Sequence, residues 1–532
     1  MNKNILYMLL ATFLLTNSIN SQVDKTWTGT GTDTTTPLTP FSPNSNTTVY
    51  TNDDNWDPIG VPGDIDNITI PSDLDNYPTA AANVTFGTMT LESSATFINE
   101  GTVTGTIIYK RTLSEENNWH LMSSPVSGET IEDIKGQGKL AAGTGTNVGF
   151  ASYANRNGGP WIYETTTENT NLLPQGKGYS IKLKEGLTVK DISFTGAVGT
   201  DNITYLTGGG SGAVRTHYFL VGNPFTAYMN ATTFLNANIG QFREQTLWLW
   251  DGTTYVTKNS TELTFDIAPT QGFFIEISGD GITEEIITFN KSNQSHQTAD
   301  TFLREEPHPN FELFVENESA KSATKVFYID GKTTGFDNGY DSKMFGGVEY
   351  GFSVFTELVS DNEGKKLAIQ TLAKNDASII PVGLIANSGK EITFSIESTN
   401  LPEGVNVSLE DKKTGVFTNL SESNYTTTLT EATNGVGQFY IHTTGKALNT
   451  TDLNTENISV YKSSSNEVTI TGLNTEATFT MFSLLGKQVL QTKVTSNGVS
   501  KVNLPSLSTG IYILKLNSSL GTITKKITFN QQ

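Results

Sequence analysis

Two pairs of aromatic residues are the side chains whose types and spacing most directly predict chemistry. Trp248 and Trp250 lie two positions apart, and Trp161 and Tyr163 have the same spacing. On a β-strand, residues two positions apart share one face. An exposed pair can stack on the sugar rings of a glycan, whereas a buried pair fills a core, because large aromatic side chains dominate core energetics. Both interpretations stay open, and these four residues are the candidate glycan contacts.

The sequence contains no recognisable catalytic or metal-binding constellation. Its five histidines do not form the H-E-x-x-H pair of a zinc protease. Ser211 lies in GGGSGAV, which lacks the glycine spacing of a nucleophile elbow. The sequence therefore predicts no catalytic residue, no metal site and no cofactor, and hence a protein that is not an enzyme. Folding can bring the two carboxylates of a glycoside hydrolase together from distant positions, so an exported hydrolase acting on polysaccharide or protein remains the alternative.

Composition indicates strands rather than helices as the elements that position these residues. Charged residues make up only 17% of the 532 residues, and Thr, Asn, Ser and Gly are abundant, a mixture that favours strands and turns. The net charge of −20 repels phosphate backbones, so nucleic acid is not an expected partner. The chain has no cysteine, which excludes disulfides, thiolate metal sites and cysteine nucleophiles.

The middle of the chain contains an internal repeat. NWHLMSSPV (118–126) resembles HYFLVGNPF (217–225), and the stretch that begins at Trp161 resembles the one that begins at Trp248. Further along, LLPQGKGYSIKL resembles IAPTQGFFIEI, with Gly178 matching Gly272. The spacing between matches varies, as expected when loops differ and elements persist. The sequence predicts two copies of one β-unit, at 111–200 and 210–290.

The remaining segments complete an all-β, multidomain string of antiparallel β-sandwich-like modules. Residues 22–110 combine a Thr/Asn-rich segment with a short β-rich region. Alternating apolar residues predict a β-sandwich at 313–445. A polar linker at 446–456 leads to 457–532, where six or seven short strands predict a small Ig-like sandwich.

The N-terminus has the features of a secretory signal peptide. Residues 1–21 begin with Lys3 and continue with an apolar stretch of eleven residues, Ile5–Leu15. A membrane-spanning helix needs about 20 residues, so this stretch is too short to be an anchor. We expect cleavage after Ser21, and the sequence predicts no transmembrane span in the mature chain.

Three motifs near the end of the chain occur in a specific order. FSLLGKQVL (482–490) is followed by VNLPSLSTGIYILKL (502–516) and then by ITKKITF (523–529). In this order and spacing, 457–532 resembles the type A C-terminal sorting domain of the Bacteroidota type IX secretion system. The resemblance implies three signal motifs, and their residues are the strand-turn pair Gly486 and Lys487, the L-x-x-G-x-Y residues Gly510 and Tyr512, and the basic terminal-strand residues Lys525 and Lys526.

The resemblance also implies a route and two partners. Proteins with this domain pass through the periplasm, are exported by the type IX machinery of the outer membrane, and are commonly cleaved by a sortase-like peptidase. The repeats and the 313–445 segment resemble parts of large flavobacterial surface proteins, which transfer no defined activity. We therefore expect a secreted protein at the cell surface or in the medium. Its expected role is that of a non-enzymatic adhesin or glycan-contacting module, with surface or host glycans as partners.

Overall fold

The computed structural model describes most of the chain in two compact units. One unit comprises the described residues of 22–400 and 409–441, and the other those of 401–408 and 442–532. The predicted signal peptide and the linker 446–456 lie outside the described residues. Among the described residues, no helix is long and apolar enough to cross a membrane. The described residues are 22–31, 47–113, 118–155, 161–208, 216–262, 265–279, 284–296, 308–374, 378–401, 405–444, 459–464, 466–471, 476–494, 499–518 and 521–529.

The N-terminal region is a β-sheet in which most strands pair in parallel. Four strands pair in parallel, and three of them place Ile68, Met89 and Ile107 in register as buried neighbours. Two further short strands of this region also pair in parallel. This region therefore departs from the antiparallel pairing that is found in most of the chain. Its strands are β1 (Asp24–Trp27), β2 (Trp56–Asp57), β3 (Asn67–Ile70), β4 (Thr79–Ala80), β5 (Val84–Leu91), β6 (Ile98–Asn99) and β7 (Val103–Thr112), with a 3₁₀ turn at Asp53–Asn55.

Two four-stranded antiparallel sheets follow, and they share one strand order. The first sheet has the order β10-β9-β11-β8 and the second the order β17-β16-β19-β14. A short helix follows the first strand of each sheet, which is the arrangement that two copies of one β-unit would produce. The elements are β8 (Trp119–Ser123), α1 (Ile131–Gly136), β9 (Asn147–Tyr153), β10 (Trp161–Thr165) and β11 (Gly178–Lys182), then β14 (Tyr218–Gly222), α2 (Ala231–Ala237), β16 (Leu247–Trp250), β17 (Tyr255–Lys258) and β19 (Gly272–Glu276).

Short strands connect these sheets to their surroundings. One strand of the first repeat, β12 (Asp191–Gly196), extends the N-terminal sheet by pairing with β7. One hydrophobic core consequently contains residues from both predicted segments, 22–110 and 111–200. The other connecting elements are β13 (Ile203–Thr207), β15 (Tyr228–Asn230), β18 (Asp266–Ile267), β20 (Glu285–Phe289) and β21 (Gln294–Ser295), with a 3₁₀ turn at Lys291–Asn293.

The two repeat sheets approach each other closely at matching glycines. A Cβ atom on Gly178 would lie 2.6 Å from Leu220 Cγ, and one on Gly272 would lie 2.8 Å from the backbone nitrogen of Met122. Side chains larger than hydrogen would therefore push the sheets apart. The matched glycines of the repeat are positions where two backbones meet.

The 313–445 segment forms an eleven-stranded sheet that is tied to the second repeat. The backbone oxygen of Lys343 accepts a 3.0 Å bond from Trp248 Nε1, and Ser342 lies 2.7 Å from the hydroxyl of Thr246. The strands are β22 (Asn310–Glu316), β23 (Lys321–Tyr328), β24 (Ser342–Lys343), β25 (Ser353–Thr356), β26 (Leu367–Leu372), β27 (Ile380–Ala386), β28 (Glu391–Thr399), β29 (Asn406–Asp411), β30 (Val416–Asn419), β31 (Tyr425–Thr428) and β32 (Thr433–Thr444).

The C-terminal module is a seven-stranded antiparallel sandwich, within the predicted six or seven strands. One sheet has the order β33-β34-β37 and the other the order β36-β35-β38-β39. Alternating apolar residues of both sheets form one core. The all-β, multidomain, sandwich-like fold class is thus confirmed. The strands are β33 (Ser459–Ser464), β34 (Glu467–Thr471), β35 (Ala477–Ser483), β36 (Gln488–Val494), β37 (Val499–Asn503), β38 (Gly510–Ser518) and β39 (Gly521–Phe529).

One buried carboxyl group gives the first unit a pH-dependent stability. Glu129 precedes α1 and is only 2% exposed. Its Oε1 accepts a 3.0 Å bond from the backbone N–H of Thr195, while its Oε2 has no hydrogen-bond partner. Burial raises the pKa of Glu129 to about 8, because desolvation penalises the charged form. The folded state therefore retains a proton there that the unfolded chain loses near the ordinary glutamate pKa of about 4.3.

We expect Glu129→Gln to stabilise the protein increasingly as pH rises from 5 to 8. The folded state binds more protons than the unfolded state in this window, so the stability of the unmodified protein falls with pH. The difference between variant and parent should grow by at most about 1.4 kcal/mol per pH unit. Unfolding in urea at pH 5, 6.5 and 8 measures it, with the exposed Glu185→Gln as the control. Parallel pH profiles for Glu129→Gln and parent would contradict the prediction.

Candidate functional site

A cavity of about 180 Å³ lies beside the two repeats and the loop between β24 and β25. The first repeat contributes residues from β8 to β11, the second from β16 and β17, and the loop contributes Val348. Five of the lining side chains are aromatic. We call it the aromatic cavity, and its lining residues are Trp119, Leu121, Ala151, Trp161, Tyr163, Ser180, Trp250, Tyr255 and Val348.

One row of residues across the first sheet explains why a cavity exists. Strand pairing places Tyr163 beside Ala151, Ala151 beside Ser180, and Ser180 beside Leu121. Side chains that are paired in this way stand next to one another on one face of the sheet. The two central strands contribute the small residues Ala151 and Ser180, so the middle of the row is a depression. Tyr163, which is 41% exposed, lies at its outer end.

The corresponding row of the second sheet is filled. There Trp248 is paired with both Thr257 and Phe274, and Phe274 is paired with Leu220. Trp248 and Phe274 thus occupy the two central positions that are Ala151 and Ser180 in the first sheet. Large side chains at these positions pack into a core, whereas the small ones leave space.

Trp248 belongs to that core, which corrects the expectation that it contacts a glycan. Its side chain is 0% exposed, and its Nε1–H donates to the backbone oxygen of Lys343 at 3.0 Å. It packs edge-to-face against Tyr218, with ring centroids 5.5 Å apart, and its ring is tilted against that of Phe345, with centroids 5.9 Å apart. The sequence spacing shows that Trp248 and Trp250 share a face, but only the packing shows that one of them is covered.

The strand order also corrects the match between the two aromatic pairs. Trp161 pairs with Tyr153 at the edge of the first sheet, as Tyr255 pairs with Trp250 at the edge of the second. Trp161 therefore corresponds to Tyr255, and not to Trp248 as the sequence match predicts. Both edge aromatics line the cavity. The similar stretches that begin at Trp161 and Trp248 therefore lie on strands that occupy different positions in their sheets.

Contacts between the aromatic residues hold the walls of the cavity. Trp250 Nε1–H donates to the backbone oxygen of Trp119 at 2.9 Å and so joins the two repeats. The rings of Trp250 and Tyr255 are 4.9 Å apart, and those of Trp119 and Tyr163 are 5.8 Å apart. Trp161 packs edge-to-face on Tyr153 at 5.4 Å. Three of the four predicted glycan contacts thus line one cavity, together with Trp119 and Tyr255, which sequence reasoning did not select.

A buried ionic cluster lies in the same unit. Lys343 Nζ is 2.5 Å from Glu276 Oε2 and 3.3 Å from Glu244 Oε1. The two carboxylate side chains are only 4% and 5% exposed. Burial raises the pKa of Glu244, and the adjacent Lys343 ammonium opposes the rise. This cluster fixes β24 to the second repeat. Among the described residues, no group of three or more His, Asp or Glu side chains is placed to hold a metal ion.

The residues of the predicted sorting signal fall into two structural classes. Gly486 lies in the β35–β36 turn with a φ of 80°, a conformation that favours glycine, and Lys487 beside it is exposed. Lys525 and Lys526 are exposed on the edge strand β39. These residues are accessible on the surface of the second unit.

Gly510 and Tyr512 lie at the start of β38. Tyr512 is 7% exposed, and its hydroxyl donates to the backbone oxygen of Ser508 at 3.0 Å. A Cβ atom on Gly510 would come no closer than 3.8 Å to another atom, so packing does not require glycine there. Tyr512 therefore fills the core, whereas the fold gives no reason for Gly510.

Comparisons with known proteins identify both parts of the chain. A family model with the description "Domain of unknown function (DUF8693)" matches residues 80–266 and 253–442, together more than half of the chain. The model of the secretion system C-terminal sorting domain matches residues 462–530. No curated protein matches the chain. The chain therefore belongs to the family of the domain of unknown function DUF8693, and its sorting domain marks it as a protein that type IX secretion delivers to the cell surface or extracellular space.

Proposed function

We propose that this exported protein is a non-enzymatic adhesin or glycan-contacting module, and that the aromatic cavity binds a sugar of the partner glycan. The observation that carries the proposal is the difference between the two rows. The second sheet fills its central positions with Trp248 and Phe274, whereas the first leaves a depression over Ala151 and Ser180. Aromatic faces around a concave site are the usual means of holding an amphipathic ligand.

The proposal includes surface or host glycans as partners and a sortase-like peptidase that removes the sorting domain. The cleavage site would lie in 446–456, the polar linker that the sequence predicts, because polar segments between domains are preferred sites of proteolysis. The buried carboxylates Glu244 and Glu276 do not support the hydrolase alternative. Both contact the Lys343 ammonium, an arrangement typical of a structural ionic cluster.

We expect Tyr163→Ala to weaken glycan binding at least tenfold without unfolding the protein. Tyr163 is 41% exposed, so its loss should cost little stability, whereas exposed tyrosines at binding sites often contribute more than 1.4 kcal/mol, which is a factor of ten in Kd. Binding and hydrolysis are measured together on a panel of polysaccharides and glycoproteins. Phe417→Ala, at an aromatic that is 58% exposed and does not line the cavity, is the matched control.

The panel separates the two functions. Binding without released product, lost in Tyr163→Ala and kept in Phe417→Ala, supports the proposed adhesin. Release of sugars or peptides by the parent protein would overturn the non-enzymatic part of the proposal. Equal binding by both variants and the parent would remove the aromatic cavity as the site.

A further inference from the structure

The lining of the aromatic cavity restricts the chemistry of its ligand. None of the nine lining residues carries a charge, although the whole chain has a net charge of −20. A charged sugar would lose hydration there without gaining a counter-ion, which is costly. The cavity therefore fits a neutral ligand.

The bottom of the cavity is lined by small and aliphatic side chains. Its most buried lining residues are Ala151, Ser180 and Leu121, which are 1%, 5% and 8% exposed. The polar hydrogens of the lining side chains are the hydroxyls of Ser180, Tyr163 and Tyr255 and the N–H groups of Trp119 and Trp161, because the Trp250 N–H is already donated to Trp119. Among the three most buried residues only Ser180 has a polar side chain, so a ligand hydroxyl at the bottom would have one side-chain partner there, whereas a methyl group would contact alkyl and aromatic carbon.

The size of the cavity limits the ligand further. Its volume of about 180 Å³ is below the roughly 300–1,000 Å³ of sites that enclose drug-sized molecules. Because a water molecule occupies about 30 Å³ in the liquid, the cavity has room for only a few water molecules. A ligand that replaces them would place one sugar unit, or part of one, in the cavity. An extended oligosaccharide would have to continue outside it.

We propose that the aromatic cavity selects a neutral sugar through a methyl substituent, which is either the methyl of a 6-deoxy sugar or that of an N-acetyl group. This inference rests on the proposed function and adds the class of sugar. Burial of a methyl group is favourable, and burial of an unpaired hydroxyl is unfavourable. Both effects favour the methyl-bearing sugar over its hydroxylated counterpart, and together they predict at least a tenfold preference.

Matched sugars test the preference on the full chain. L-fucose and L-galactose differ only in a methyl in place of a hydroxymethyl group, and N-acetylglucosamine and glucose differ in the N-acetyl group. Each is titrated against the parent protein and against Tyr163→Ala by calorimetry or by competition with a bound glycan. We expect at least one methyl-bearing sugar to bind tenfold more tightly than its counterpart, and the pair that shows the preference identifies the source of the methyl.

A second variant tests the mechanism. Ala151 lies at the bottom of the cavity and is 1% exposed, and Ala151→Ser adds a hydroxyl there with little change in size. We expect this variant to reduce the preference for the methyl-bearing sugar at least threefold, whereas Ala95→Ser, at a buried alanine that does not line the cavity, should leave it unchanged. An unchanged preference in Ala151→Ser would overturn the placement of the methyl group at the bottom of the cavity.

The outcomes separate this inference from the proposed function. Equal affinity within each sugar pair, together with binding that Tyr163→Ala abolishes, would overturn the methyl preference and leave the glycan site in place. Binding that does not respond to Tyr163→Ala would overturn both.

Discussion

Replacement of Lys343 by methionine is expected to lower the free energy of unfolding by about 3–5 kcal/mol, the usual effect of breaking a buried ion pair from one side. The Lys343 ammonium lies 2.5 Å from Glu276 Oε2 and 3.3 Å from Glu244 Oε1. Methionine keeps most of the apolar stem and removes the charge. Two carboxylates that are 4% and 5% exposed would then be left without their shared cation.

The sign of the pH dependence distinguishes this explanation from simple loss of packing. Burial already raises the pKa of Glu244, and removal of the ammonium raises it further. A carboxyl group with a raised folded-state pKa stabilises the fold at low pH and loses that contribution as pH rises. The deficit of Lys343→Met should therefore be smaller at pH 5 than at pH 8, whereas a packing defect would be independent of pH.

Urea unfolding followed by tryptophan fluorescence measures the deficit. Lys365→Met is the matched control, because Lys365 is 36% exposed and pairs with the largely exposed Glu363 at 3.6 Å, where an ion pair contributes little. Addition of Glu244→Gln to Lys343→Met should recover part of the stability. If the free energy of unfolding of Lys343→Met at pH 8 were within 1 kcal/mol of that of the parent, the ionic cluster would not be needed for stability.

The cluster illustrates what alternation of apolar residues predicts and what it omits. The pattern predicted strands within 313–445 and over the C-terminal module, because a half-buried strand imposes a period of two on its own residues. No comparable local pattern in the sequence indicates which residue a charged side chain will pair with. Lys343 and Glu276 are 67 positions apart, and they meet only because β24 lies against the second repeat.

Strand direction was also invisible in the sequence. Asn67–Ile70, Val84–Leu91 and Val103–Thr112 show the same alternation as the antiparallel strands, yet they pair in parallel. The period of a strand records which face is buried and not the direction of its neighbour. The prediction of antiparallel modules is therefore wrong for the N-terminal sheet, whose strands pair mainly in parallel.

Only part of the aromatic cavity could be predicted from the sequence. Aromatic spacing selected Trp161, Tyr163 and Trp250, but the depression depends on Ala151 and Ser180. Small residues in a strand have no distinctive chemistry, and their role appears only when the register places them beside each other. The match between the repeats, with Gly178 on Gly272, already aligns Ser180 with Phe274, but a difference in size at one aligned position does not show that a depression forms there.

The second large effect concerns export. We expect the double variant Lys525→Gln/Lys526→Gln to reduce delivery to the cell surface or medium at least tenfold while the sorting domain stays folded. Both side chains are exposed on β39, where substitutions typically change stability by less than about 0.5 kcal/mol. Fractionation of a bacterium with a type IX system measures the exported share. Lys493→Gln/Lys515→Gln removes two exposed lysines from β36 and β38, the two strands that flank β35 in the same sheet, and is the control.

Tyr512 provides the contrasting case, because its effect should act through folding. Its side chain is 7% exposed in the core, and loss of a buried aromatic side chain costs about 3–5 kcal/mol. Tyr512→Ala should therefore abolish export together with protease resistance of the sorting domain. Lysines on an edge strand can also serve to prevent aggregation. If the lysine variant accumulated as insoluble protein in the periplasm, that protective role would explain the loss of export, whereas soluble, folded and retained protein would show that the export machinery reads the two charges.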